Sequence, residues 1–332
     1  MRRAVIVAAT LAALGSAAIG PAGAAAPQVD VRRDIEYGVA NGKRLLLDAY
    51  VPPAGDRRPA VIMIHGGGWR EGDKASWAPE ATRLAERGWV AFSVNYRLDE
   101  PSPFPAEIDD VQAAVRWVRG HADEYRIDPG RIAAVGESAG GHLTAMLATL
   151  GTGSLANEAR IVVGAAWSPP TDFPALARSR GDQWANRLFG CSVATCADKM
   201  AQASPVTHVD RTDAPLYLIH STQELVPLAQ SETMAQRLSA AGVDHRLDVL
   251  PGNRHALDFR EDAWAPTLAF LDRHLAPRPR ADDSSIPAAA RAGAAVVGAA
   301  GIVIGALGLR RRQRSPGRSA RSPSRRGATA AR

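Results

Sequence analysis

Short apolar segments recur along the middle of the chain and are separated by turn residues. Most of them are apolar without interruption, so the strands they predict lack the alternating polar positions of a sheet with one solvated face. Continuous apolar strands are typical of a parallel sheet that helices cover on both faces. The predicted strands are residues 45–51, 60–65, 89–96, 131–136, 161–167, 216–221 and 245–250.

Helical patterns alternate with these strands. The clearest covers residues 105–125, where Ile108, Val111, Val115 and Val118 recur at steps of three and four residues and form one apolar face. An alternation of strands and helices predicts an α/β fold with a mostly parallel central sheet flanked by helices. The other predicted helices are residues 76–87, 139–150, 228–241 and 262–275.

Two segments interrupt the alternation. Residues 168–212 contain prolines, a tryptophan and two cysteines, and we expect a small insertion at the sheet edge, where insertions commonly form a lid or pocket wall. Residues 277–291 contain Pro, Ser and Ala without a core-forming pattern, which predicts a linker. The folded domain is therefore predicted to span residues 30–276.

The two ends of the chain have the composition of targeting segments. Residues 1–26 begin with MRR, continue through an apolar stretch and end in small residues, which predicts a secretory signal peptide rather than a transmembrane anchor. Residues 292–309 form an uncharged run followed by arginines, which predicts a transmembrane helix and a basic cytoplasmic tail over residues 310–332. Because this run is rich in Ala and Gly, a segment lying on the membrane surface or partly disordered is the alternative. We expect an exported protein, anchored in the cell membrane with its folded domain outside.

The distribution of charge along the chain limits the kinds of ligand that the folded part can bind. The formal net charge is +6, but residues 310–332 hold nine arginines and no acidic residue, which leaves −3 for the rest of the chain. Basic residues clustered behind an apolar run are a topology signal and a contact for anionic lipid. The folded part has no positive excess that would bind a polyanion, so the composition argues against nucleic-acid binding.

The two cysteines, Cys191 and Cys196, are separated by four residues. In an exported protein such a pair can close a small loop as a disulfide, which is the state we expect over free thiols. A zinc site would need a second pair of ligands nearby, and the sequence does not offer one.

The stretch GESAGG, residues 136–141, matches G-x-S-x-G between a predicted strand and a predicted helix. This is the setting of a nucleophile elbow, where Ser138 sits on a sharp turn with its hydroxyl exposed. Glycines flank such a serine because the backbone is strained and the neighbouring chain passes too close for side chains. A glycine-rich helix start with an incidental serine is the alternative.

A second glycine-rich motif, HGGGW at residues 65–69, follows a predicted strand and precedes Ser138 in the chain. This order is expected for an oxyanion loop. The N–H groups of Gly67 and Gly68, together with that of Ala139, are the candidate donors to a developing negative oxygen. Trp69 is expected either to line a pocket beside this loop or to pack under it.

Three stretches carry a resemblance to a known family: HGGGW, NYRL at residues 95–98, and residues 109–143, which end in GESAGGHL. They resemble the α/β-hydrolase fold, in particular bacterial carboxylesterases related to hormone-sensitive lipase and to feruloyl-esterase-like enzymes. The HGG-x-W loop is also similar to that of kynurenine formamidases. The resemblance covers about residues 35–275 and implies a serine esterase or amidase mechanism without a metal or cofactor.

The fold that the sequence resembles has the chain order serine, acid, histidine, which places the base late in the chain. His255 lies on a loop after the predicted strand 245–250 and is the candidate base. The other histidines are expected to be structural or solvent-facing.

The residue expected to orient His255 differs from the pattern of the family that the sequence resembles. Related esterases have Asp followed by two residues and Val-Pro in this loop, whereas this sequence has Gln223 at the aspartate position. The adjacent Glu224 is the preferred acid, because Asp and Glu can both orient a histidine if the longer side chain bends to the ring. Asp172 is the alternative acid, and a dyad without an acid also stays open.

These residues predict a serine carboxylesterase that cleaves a small-molecule or polymer-linked ester. In this mechanism Ser138 attacks the carbonyl, His255 takes the proton, and the amides of the oxyanion loop bind the charged oxygen. Two other functions stay open: an amidase or formamidase with the same site, and a non-catalytic binding domain of the same fold, which Gln223 weakly favours.

Overall fold

The structure is a computed structural model and describes residues 28–53, 55–98, 104–156, 158–181 and 188–277. These residues belong to one compact unit that ends at Pro277. The predicted signal peptide, transmembrane helix and basic tail lie outside the described residues, as does the predicted linker apart from Pro277. No helix within the described ranges is long and apolar enough to cross a membrane.

Eight strands of the described chain form one sheet: β1 (Asp30–Ala40), β2 (Lys43–Val51), β3 (Arg58–Ile64), β4 (Val90–Val94), β5 (Ile127–Glu137), β6 (Val163–Trp167), β7 (Leu216–Ser221) and β8 (His245–Leu250). Their order across the sheet is β1-β2-β4-β3-β5-β6-β7-β8. β2 pairs antiparallel with β1 and β4, and every other neighbouring pair is parallel. The predicted mostly parallel sheet is confirmed.

Helices cover both faces of this sheet. They are α1 (Ala78–Glu86), α2 (Ala106–Gly120), α3 (Ala139–Thr149), α4 (Phe173–Arg180), α5 (Ala197–Gln202), α6 (Ala229–Ala241) and α7 (Arg260–Leu275), with short 3-10 helices at Lys74–Trp77, Pro205–Thr207 and Ala256–Phe259. One apolar cluster joins α2, α3 and α6 to one face, and a second joins α1 and α7 to the other. The central strands are buried at nearly every position, which is why their sequences are mostly apolar.

The strand β1 is absent from the sequence prediction. Its sequence DVRRDIEYGVA is charged and mostly exposed, because it lies at the sheet edge and packs little against a core. Asn41 and Gly42 join it to β2, and both have positive φ, 51° and 75°. Asn-Gly is the favoured dipeptide of a two-residue hairpin turn, so this pair is the signal that could have identified the strand.

The predicted insertion lies between β6 and β7. Its described part contains α4, α5 and a disulfide between Cys191 and Cys196, the predicted pairing. Phe173 at the start of α4 packs against Trp69 of the HGGGW loop, with ring centroids 5.6 Å apart. The insertion therefore contacts the loop at the carboxyl end of β3, the edge of the sheet where ligands bind in open α/β folds.

Candidate active site

Ser138 is the single residue between β5 and α3, so it occupies the predicted strand-to-helix elbow. Its φ of 52° and ψ of −116° lie in a region that non-glycine residues rarely adopt. A Cβ on Gly136 would overlap the carbonyl oxygen of Gly140, and a Cβ on Gly140 would overlap that of Ile64. The glycines of the motif are therefore needed where β5 turns back against its own helix and against β3.

His255 lies on the loop after β8, immediately before the 3-10 helix Ala256–Phe259. Its Nε2 is 2.9 Å from Oγ of Ser138, although 117 residues separate the two in the chain. Because β5 to β8 are neighbouring parallel strands, the loops that follow them leave the same edge of the sheet. The structure thus brings the candidate nucleophile and the candidate base within hydrogen-bond distance.

Glu224 follows β7 and lies next to the same histidine. Its Oε2 accepts a hydrogen bond from Nδ1 of His255, and the residue is buried, with 7% of its surface exposed. The neighbouring Gln223 is exposed, and its N–H donates to the carbonyl of Gly252. The longer glutamate side chain thus reaches the imidazole from one position beyond that of the family's aspartate.

Asp172 has a different role. Its carboxylate accepts a hydrogen bond of 2.9 Å from the N–H of Ala175 and caps α4, while its own N–H donates to Oε1 of Gln230. The structure does not place it against His255. The alternative acid is therefore not supported, because the loop after β6 directs this carboxylate to a helix start instead.

The second oxygen of Glu224, Oε1, is surrounded by hydrogen-bond donors. Oγ of Ser168 donates to it at 2.8 Å and the N–H of Ser221 at 3.2 Å, while Nε2 of His220 lies 2.8 Å away. Burial raises the pKa of Glu224, but the contacts with His220 and His255 outweigh burial and lower this pKa to about 2. Glu224 is therefore ionised at neutral pH and can stabilise a positive charge on His255.

The predicted oxyanion donors lie beside the hydroxyl. Gly67, Gly68 and Ala139 line a cavity of about 190 Å³ together with Ser138 and His255. Both glycines have positive φ, 104° and 61°, and neither N–H is hydrogen-bonded to another described residue. The N–H groups of Gly67 and Gly68 thus belong to the wall of the cavity that holds Ser138 and have no bound acceptor among the described residues, as donors to an oxyanion require.

Two sets of contacts hold the HGGGW loop in place. The N–H of Gly66 donates to the carboxylate of Glu137, whose pKa is raised by burial although this hydrogen bond opposes the increase. Nε1 of Trp69 donates to Nδ1 of His142 at 3.2 Å, and Nε2 of His142 lies 2.8 Å from the carbonyl oxygen of Ala203. Burial lowers the pKa of His142 to about 4, which agrees with a neutral ring that accepts at Nδ1 and donates at Nε2. Trp69, only 2% exposed, thus packs under the loop and also contributes to the cavity wall.

Sequence reasoning missed two residues around the acid, Ser168 and His220. Ser168 directly follows β6 and His220 lies within β7, so both come from the carboxyl edge of the sheet. That position is the one sequence signal that could have indicated them. Within the described ranges, no group of three or more His, Cys, Asp or Glu side chains is arranged to hold a metal ion.

Comparison with known sequences gives a family match and named relatives. The profile of the family described as BD-FAE matches residues 47–238. The probable carboxylic ester hydrolase LipM of Mycobacterium tuberculosis is 31% identical over 253 residues, an alignment that covers 71% of this chain and 58% of LipM. The chain thus spans less than two-thirds of the length of this relative.

Solved structures with the same fold are also esterases by name. A thermophilic esterase of the Planctomycetes species Thermogutta terrifontis, Est2, superposes with a TM-score of 0.63 at 25% identity, covering 76% of this chain and 95% of Est2. A truncated carbohydrate esterase from gut microbiota has a TM-score of 0.66 at 23% identity and covers 76% of this chain and 99% of its own. The predicted α/β-hydrolase fold is confirmed.

Proposed function

The chain belongs to the BD-FAE family, and from this premise we propose that it is a serine carboxylesterase. The predicted resemblance to bacterial carboxylesterases is confirmed by the family match and by the relatives. The observation that carries the proposed activity is the hydrogen-bonded series from Ser138 through His255 to Glu224, next to the amides of the HGGGW loop.

In the proposed reaction, Nε2 of His255 takes the proton of Ser138 as the serine oxygen attacks the ester carbonyl. The N–H groups of Gly67, Gly68 and Ala139 bind the negative oxygen of the tetrahedral intermediate. The intermediate collapses, and His255 gives its proton to the departing alcohol. A water molecule, deprotonated by the same imidazole, then cleaves the acyl ester and regenerates Ser138.

Glu224 has an electrostatic and an orienting role in this reaction. Its hydrogen bond keeps the proton of neutral His255 on Nδ1, which leaves Nε2 as the acceptor that faces Ser138. With a pKa of about 2 the carboxylate stays ionised when the imidazole becomes positively charged. It therefore stabilises the ion pair that exists only during proton transfer.

The activity is tested with p-nitrophenyl acetate and with a fluorophosphonate that reacts with activated serines. The full-length protein should hydrolyse the ester and be labelled at Ser138, and Ser138→Ala should lower turnover by at least about 10³-fold and abolish labelling. Equal turnover in both proteins would contradict the proposal and favour a non-catalytic binding function. An anilide with the same acyl group, assayed in parallel, separates an esterase from an amidase.

We also propose that the protein is exported and membrane-anchored, on the sequence of its two ends. The support is the signal-peptide pattern of residues 1–26 and the apolar run of residues 292–309 with arginines behind it. A chain cut after residue 285 should leave the membrane fraction that holds the full-length protein. Continued membrane association of the shortened chain would disprove this anchor.

A further inference from the structure

Ser168 connects the candidate acid to the loop of the candidate base. Its Oγ donates to Oε1 of Glu224 at 2.8 Å and accepts a hydrogen bond of 3.0 Å from the N–H of Ala256, the residue after His255. The Ser168 side chain is fully buried. One hydroxyl thus uses its donor on the carboxylate and its acceptor on the backbone beside the imidazole.

The backbone of Ser168 is in a conformation that a serine adopts at a cost. Its φ is 50°, in the left-handed region, and its N–H is bound to the carbonyl of Ile219 in β7. Glycine adopts this conformation without strain, whereas a side chain does not. Strained non-glycine residues are concentrated at functional sites, where the surrounding structure maintains them. A serine at this position indicates that the hydroxyl itself is used.

The acid requires such a partner because it is a glutamate. Its side chain has one more rotatable bond than that of aspartate, so more positions are open to its carboxylate. Oε1 accepts from Ser168 and from the N–H of Ser221 and lies 2.8 Å from Nε2 of His220, and these contacts hold the carboxylate with Oε2 toward His255. We propose that Ser168 is a positioning residue that holds Glu224 and the His255 loop in the geometry of proton transfer. This inference rests on the proposed esterase function.

The test compares Ser168→Ala with Ser204→Ala in the full-length protein. Ser204 is an equivalent control because it is also fully buried, and its Oγ accepts the N–H of Phe173 at 2.9 Å and donates to the carbonyl of Met200 at 2.6 Å. We expect Ser168→Ala to lower kcat on p-nitrophenyl acetate by about 10- to 100-fold with little change in KM, because a hydrogen bond to a charged group is lost. Ser204→Ala should retain kcat within about threefold while losing comparable thermal stability.

Two further variants distinguish positioning from loss of packing. Ser168→Gly removes the hydroxyl but relieves the positive φ, so it should fold well and lose as much kcat as Ser168→Ala. If Ser168 acts through Glu224, adding Ser168→Ala to Glu224→Gln should lower kcat by much less than it does in the wild type. The low-field proton resonance of Nδ1 of His255 should also shift in Ser168→Ala and stay in place in Ser204→Ala.

The outcomes separate this inference from the proposed function. An active wild-type protein in which Ser168→Ala and Ser168→Gly keep wild-type kcat overturns the positioning role alone. If Ser168→Ala lowers kcat by the same factor in the wild type and in Glu224→Gln, the positioning role is overturned as well. The effect of the serine would then not pass through the carboxylate. A wild-type protein that neither hydrolyses the ester nor reacts with the fluorophosphonate overturns the esterase function and this inference with it.

Discussion

Replacing Glu224 by glutamine removes the charge beside His255 while keeping the size of the side chain. The interactions of the ionised carboxylate lower its pKa from 4.5 to about 2. At about 1.36 kcal/mol per pKa unit, this corresponds to roughly 3 kcal/mol in favour of the charged form, which the contacts with His220 and His255 share. The residue is 7% exposed, so solvent screens little of this interaction.

Part of this free energy sets the expected kinetic effect. The imidazole of His255 is positively charged in the transition state, so Glu224→Gln loses the share of the stabilisation that belongs to the Glu224–His255 contact, and each loss of about 1.4 kcal/mol lowers kcat/KM tenfold. The amide group of glutamine can also donate to Nδ1 and favour the wrong tautomer of the ring, which adds to the loss. We therefore expect Glu224→Gln to lower kcat/KM by about 10²- to 10⁴-fold.

Asp172→Asn is the matched control, since it also replaces a carboxylate by an amide in a loop after a neighbouring strand. Asparagine caps helices as well as aspartate does, so this variant should keep both its stability and its kcat/KM. Hydrolysis of p-nitrophenyl acetate, with thermal unfolding as a check on the fold, measures both variants. A Glu224→Gln protein within tenfold of the wild type, or a larger loss in Asp172→Asn, would refute this reasoning.

Two further predictions concern buried polar side chains. Glu107 in α2 is 3% exposed, its Oε2 has no hydrogen-bond partner among the described residues, and burial raises its pKa from 4.5 to about 8. Because the folded state then binds more protons than the unfolded state between pH 4.5 and 8, stability should fall across that range by at most about 5 kcal/mol. Glu107→Gln should flatten this decline in thermal unfolding measured from pH 5 to 9, and an unchanged decline would exclude Glu107 as its source. Trp69→Phe leaves Nδ1 of the buried His142 without its donor, so the free energy of unfolding in urea should drop by about 1–3 kcal/mol; unchanged stability would show that the indole N–H contributes nothing.

The parallel sheet and the elbow are features that the sequence by itself determined. The strand predicted over residues 216–221 has the bounds of β7, whose start is the apolar run LYLI, because a strand buried on both faces is mostly apolar. The glycine at position 136 follows from a local contact, since a Cβ there would overlap the carbonyl oxygen of Gly140, four residues along the chain. Such constraints act between near neighbours or along one element, so a sequence pattern records them directly.

Which candidate acid meets His255 depends on the tertiary structure. Glu224 and Asp172 are both carboxylates in loops at the same edge of the sheet, and the paths of those loops determine which one meets His255. The sequence did not predict a role for Ser168 for the same reason. Its partners Glu224 and Ala256 are 56 and 88 residues away in the chain, respectively. Hydrogen bonds and burial between such distant residues depend on how the loops cross in space, and no local pattern of apolar and polar positions carries that information.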